Sequence, residues 1–285
     1  MTATLAALDT SAAASAAHRA RFSDLLAAEW AKLWSLRSMR WSFPVTAVIV
    51  VGIGANSALA DYRNWSQYPQ EVVDDLARSW AIKDAFPIAS AMVLMLIVGT
   101  LGALCVVNEY SSGLIRTTFA AVPARRSALA AKMTVMTSVT TAFGLLVVAV
   151  SYAVTQAILS GRGVSLSLGD PEVLRSLTAS ASLAPVSALV GLGIGVLIRH
   201  GAATVAVTAL LLILLPTFLS QEEAWTAALK FAMPFNAWSN LATVDPAFFT
   251  PLPHTPSPGH SWIVLAVWPV LAVATAIGLI HRRDL

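Results

Sequence analysis

Charge is scarce in this sequence. Only 12% of its 285 residues are Asp, Glu, Lys or Arg, against 57% hydrophobic residues, and the mean hydropathy is +0.72. Soluble globular domains carry about 25% charged residues, so that class is excluded. Cysteine is nearly absent as well. Cys105 stands alone, which rules out an intrachain disulfide and any Cys-based zinc site. It lies in an apolar stretch and reads as a small buried or lipid-facing side chain. The phosphate-cradling pattern G-x-x-x-x-G-K-[ST] does not occur, so P-loop ATP hydrolysis by this chain alone is not expected. No H-E-x-x-H pair occurs, and no Ser/His/Asp set or Asp pair falls within an apolar stretch, which argues against a membrane protease. His254 and His260 flank a Pro-rich turn without a nearby carboxylate, a weak basis for a metal site. No catalytic, cofactor-binding or metal-binding residues are assigned.

What the sequence does have is six long apolar runs: Ser42–Ala60, Ala85–Asn108, Met133–Leu159, Ser176–Ile198, Gly201–Leu219 and Ser261–Ile280. None contains Asp, Glu, Lys or Arg. A bilayer core of roughly 30 Å takes about 20 helical residues to cross, and each run approaches or exceeds that length. Ionisable groups inside a membrane cost about 2.5–3.5 kcal/mol on insertion scales and persist mainly for function. Their absence from these runs speaks against proton coupling. Sodium sites built from carbonyls and hydroxyls are disfavoured but stay open. The fold class expected is an all-α polytopic membrane protein with six transmembrane helices, an N-terminal interfacial amphipathic helix and both termini cytoplasmic.

Orientation follows from the basic residues, because Lys and Arg are retained on the cytoplasmic side. With the N-terminus inside, 12 of the 18 Lys and Arg and only 5 of the 15 Asp and Glu face the cytoplasm. The pI near 9.3 then reflects topology, and no nucleic-acid partner is needed to explain it. The first apolar run starts only at Ser42, too far in for a cleavable signal peptide. The Ala-rich composition points to a bacterium and hence to its cytoplasmic membrane.

Residues 1–17 are Ala/Thr/Ser-rich and read as a disordered cytoplasmic tail. In 18–41, Phe22, Leu25, Leu26, Trp30, Leu33 and Trp34 share one helical face, while Arg21, Asp24, Lys32 and Arg37 occupy much of the remainder. A basic amphipathic helix carrying Trp30 and Trp34 suits the inner membrane interface, with Lys32 and Arg37 toward lipid headgroups; packing on a protein partner is the alternative. Residues 42–285 form the six-helix domain. Pro44 falls near the start of the first run, where its missing N–H costs little. Gly191 and Gly195 make a small-xxx-small face for close helix packing. The outer segment 220–260 is amphipathic in pieces broken by Pro234 and Pro246, as expected of re-entrant or interfacial helices.

The stretch from Glu109 to Lys132, EYSSGLIRTTFAAVPARRSALAAK, is the longest polar interruption on the cytoplasmic side. It holds Arg116, Arg125, Arg126 and Lys132, with the lone acid Glu109 where the preceding run ends. Together with the early Glu29-Trp30-Lys32-Leu33 and the Gly-rich fourth run ending in Arg199, it resembles the ABC-2-type transporter permeases. The resemblance covers residues 18–285 and rests on Glu109, the Gly113-Leu114-Ile115-Arg116 turn and the basic Pro123-Ala124-Arg125-Arg126 to Lys132 stretch. The Pro-rich Pro251–Pro258 departs from the family pattern and leaves the outer architecture open.

The resemblance implies a permease that pairs with a second copy of itself or a related permease and binds two cytoplasmic ABC ATPase subunits. ATP and magnesium would reside on those subunits, with no cofactor in this chain. Glu109, Gly113, Arg116, Arg125, Arg126 and Lys132 would then couple ATPase closure to the membrane, and export is the implied direction. On the residues alone, Glu109 can pair with Arg116 or with a base on the N-terminal helix, such as Arg37, and Arg125, Arg126 and Lys132 read first as topology determinants and lipid contacts. An ATP-independent channel or facilitator, or a non-transporting scaffold or sensor, is the alternative function. The substrate is not legible.

Overall fold

The computed structural model describes residues 21–114, 125–244 and 254–282, and within them all regular structure is helical. The tail 1–17 lies outside the described residues. The helices are α1 Phe22–Ser35, α2 Arg37–Asn64, α3 Gln70–Ala85, α4 Ile88–Ser111, α5 Arg125–Leu159 and α6 Pro171–Ile198. They are followed by α7 over 201–218, with a π-type turn at Leu210–Leu214, then α8 Ala224–Phe231, α9 Pro234–Ala242 and α10 Pro258–Arg282. Among the described residues six segments are long and apolar enough to cross a membrane, the mark of a multi-pass membrane protein.

Helix α6 is the central element. In its most apolar stretch 78% of the residues are buried, against 22% for α7 and 17% for α10. Its sequence explains this, since Ser, Ala and Gly alternate with Leu and Val on every face and let neighbours approach from all sides. The closest neighbour is α4. A Cβ on Gly191 would stand 1.9 Å from the Gly99 carbonyl oxygen, one on Gly102 would stand 2.0 Å from that of Ala188, and one on Gly195 would stand 2.9 Å from that of Ala103. The two helices touch backbone to backbone, with no space for a methyl group between them. At the end of α6, Arg199 takes a left-handed conformation (φ 57°) with its N–H on the Gly195 carbonyl. His200 caps α7, so α6 and α7 form a tight hairpin.

Two expectations need correction. Residues 18–41 do not form one helix: α1 ends at Ser35, Leu36 is extended, and Arg37 begins α2. Leu33 and Met39 are both buried in one core. Six positions apart on a continuous helix they would point about 120° away from each other, and the break at Leu36 lets both turn inward. Because α2 starts at Arg37, Pro44 sits inside that helix, where it removes the N–H that would have bonded the Arg40 carbonyl.

The segment after α7 folds back onto the bundle. Pro234 opens α9, and α9 carries Phe235, Trp238 and Leu241 into the core. Trp238 donates its indole N–H to Ser180 Oγ at 2.9 Å and meets Phe86 edge-on at 5.9 Å. Trp225 stays 70% exposed on α8, so the α8–α9 pair is anchored by one helix and leaves apolar surface on the other.

Candidate functional site

At the bundle end that bears the 109–132 connection, four charged side chains meet, three of them buried. Glu29 and Lys32 come from one face of α1, three residues apart. Glu109 comes from the last turn of α4 and Lys132 from the second turn of α5. Lys132 Nζ contacts Glu29 Oε2 and lies 2.9 Å from Glu109 Oε1. Lys32 Nζ lies 2.8 Å from Glu29 Oε1 and 3.1 Å from Glu109 Oε1. The side chains of Lys132 and Glu29 are 7% exposed and that of Glu109 is 10% exposed, whereas Lys32 is 30% exposed. Each lysine therefore bridges both acids, and the charges cancel. A buried charge persists only when paired and hydrogen-bonded, and the quartet meets that condition with groups from three separate helices.

The pattern of α1 produces this placement. Leu25, Glu29 and Leu33 fall at i, i+4 and i+8 and form its buried row, so Glu29 is carried inward by the leucines on either side. Trp30 meets Trp34 at 5.7 Å, Trp34 meets Phe43 of α2 at 5.9 Å, and Phe43 meets Phe143 of α5 at 5.0 Å. This ring chain ties α1 to the bundle core beside the charges. The Trp34 indole N–H is buried without an acceptor. Phe22 and Trp30 stay 45% and 52% exposed, so only part of the apolar face of α1 is used internally. A cavity of about 350 Å³ borders the quartet, lined by Leu33, Met39, Cys105 and Asn108 together with the charged groups.

Among the residues singled out by sequence, Glu109, Lys132 and Lys32 are thus brought together, with Trp34 alongside. Glu109 pairs with Lys132 and with a base on the N-terminal helix, which is Lys32 and not Arg37, exposed on α2; Arg116, the other candidate, lies outside the described residues. Lys132 is no lipid contact, because it is buried between two acids. Arg126 is exposed near the start of α5, and Arg125 opens that helix. Gly113 has φ +72° and its N–H on the Tyr110 carbonyl at 3.3 Å, the left-handed conformation that ends α4 and that glycine adopts without strain. Arg199 lies over the Tyr110 ring at 4.6 Å, which places the α6–α7 hairpin next to the quartet. Gly191 and Gly195 belong to the α4–α6 contact, away from these charges.

Glu29, paired with Lys32 and Lys132, has no partner that the sequence alone marks. The available signal was an acid in line with Leu25 and Leu33 on a face otherwise apolar. The quartet is a charge-dependent junction that fixes one short helix across the ends of two long ones. No protein-family model matches the sequence, and comparison with curated proteins finds no match.

Proposed function

We propose that this protein is the membrane subunit of an ATP-driven transporter, moving an unidentified substrate across a bacterial cytoplasmic membrane with energy from a separate ATPase. The observation that supports this reading most is the Glu29–Lys32–Glu109–Lys132 quartet, in which α1 is latched to both helices that flank the 109–132 connection. A force applied to that connection acts on the ends of α4 and α5, and the latch passes it to α1. Both termini lie in the cytoplasm in this reading, α1 rests at the inner membrane interface with Phe22 and Trp30 toward lipid, and the exposed apolar faces of the outer helices meet lipid or a second permease copy. Export is the direction implied by the resemblance to ABC-2-type permeases.

The test is reconstitution. Flux in liposomes should require both a copurifying Walker-motif ATPase and ATP, and flux without them would point to a channel. Glu109→Gln should leave membrane insertion intact and uncouple ATP hydrolysis from transport. Full transport together with full substrate-stimulated hydrolysis in that variant would remove the coupling role.

A further inference from the structure

The opposite end of the bundle hides a third buried acid. Asp84, near the C-terminal end of α3, is 2% exposed. The Ser57 hydroxyl of α2 donates to its Oδ1 at 2.6 Å, and its Oδ2 is buried with no donor. The hydroxyls that α5 brings to this region are committed elsewhere. Ser151 donates to the Ala85 carbonyl at 2.7 Å, and Thr155 donates to the carbonyls of Ser151 and Tyr152. Lys83, adjacent on α3, is exposed and makes no ion pair with Asp84 among the described residues. One turn beyond Ser57 on the same face of α2 stands a second carboxyl, Asp61.

Two ionised carboxylates close together repel each other, and a buried oxygen without a donor costs free energy. One proton removes both penalties. We propose that Asp84 and Asp61 form a proton-binding site, in which a proton carried on Asp84 Oδ2 is donated to the Asp61 carboxylate and holds α3 against α2. Asp61 is only half-buried and lies next to exposed Arg63 and Asn64 at the end of α2, so it supplies the route to water. Loss of the proton leaves two negative charges face to face and loosens α3. The site gives the protein a pH-responsive element at the bundle end remote from the charge quartet.

Dicyclohexylcarbodiimide adds to protonated carboxyls in apolar surroundings, and peptide mass spectrometry locates the adduct. The full chain, in detergent or in vesicles and without any ATPase, should be labelled at Asp84 with a yield that falls as pH rises. Asp61→Asn removes the like charge and should move the half-point down by about one pH unit. Asp84→Asn abolishes the adduct, and its amide donates to Asp61, so protease protection of the 65–69 link should become independent of pH. No adduct on Asp84, or a labelling profile that Asp61→Asn does not move, overturns the proposal. Protection by sodium at fixed pH also overturns it, because the same oxygens would then be holding a metal ion. If Asp84→Asn fails to fold, the wild-type and Asp61→Asn profiles still decide. The test needs no transport assay, so its outcome is separate from that of the transporter reading.

Discussion

Substituting Lys132 by Met tests the charge junction most directly. Methionine keeps much of the apolar stem of lysine and removes only the ammonium. The two acids would then share Lys32, which already lies 2.8 Å from Glu29 and 3.1 Å from Glu109 and is the most exposed member of the set. Removing one partner from a buried ion pair costs about 3–5 kcal/mol. Lys32 continues to neutralise part of the remaining charge, so the expected loss is near the lower end, about 3 kcal/mol. Reversible unfolding in mixed detergent micelles measures it, and limited proteolysis at Leu36 reports whether α1 has come away. A double-mutant cycle of Lys132→Met with Glu109→Gln should give a coupling energy of about 1–3 kcal/mol, because the two side chains are in contact. Arg126→Met, an exposed change on the same helix, should stay within about 0.5 kcal/mol of wild type. If Lys132→Met also stayed within that margin and α1 remained protected, the quartet would not be holding the helix.

Two further outcomes follow from other parts of the fold. Gly191→Ala should destabilise the bundle by about 1–3 kcal/mol, the usual cost of overpacking, since its methyl group meets the Gly99 carbonyl oxygen; the same unfolding assay reads it, and a neutral result would mean α4 and α6 can separate. At the other end, the Glu172 backbone N–H and the Arg78 guanidinium hold the Asp170 carboxyl below its ordinary range. A lowered acid stabilises the fold at neutral pH and loses that contribution as pH falls through its own titration. Asp170→Ala should therefore weaken the start of α6 at neutral pH and differ less from wild type in strong acid, as hydrogen exchange of the Glu172 and Val173 amides would show.

The long apolar helices were readable because span length and the lack of charge are both properties of the chain alone. The buried charges were not, and the reason lies in how such runs are delimited. Glu109 directly follows Asn108, Lys132 directly precedes Met133, and Asp84 directly precedes Ala85. A charge-free window stops at the first charge it meets, so it leaves each of these residues just outside an apolar run. The structure continues the helices through Glu109 and Lys132 and buries all three side chains. Pairing across 103 positions, as between Glu29 and Lys132, depends on which helices become neighbours, and no local pattern encodes that. The break at Leu36 was hidden for a similar reason: neither Pro nor Gly marks it, and only the shared core of Leu33 and Met39 requires it.

The backbone contact between α4 and α6 bears on how the bundle can change shape. With carbonyl oxygens seated where side chains would normally stand, neither helix can roll or slide against the other without a collision. The pair is a chassis, and shape change belongs to what is mounted on it. Helices α7 and α10 are each mostly uncovered by protein, and a π-type turn at Leu210–Leu214 interrupts the regular winding of α7. Glu109 hangs from one rail of that chassis, so whatever pulls on the quartet pulls on the whole frame at once.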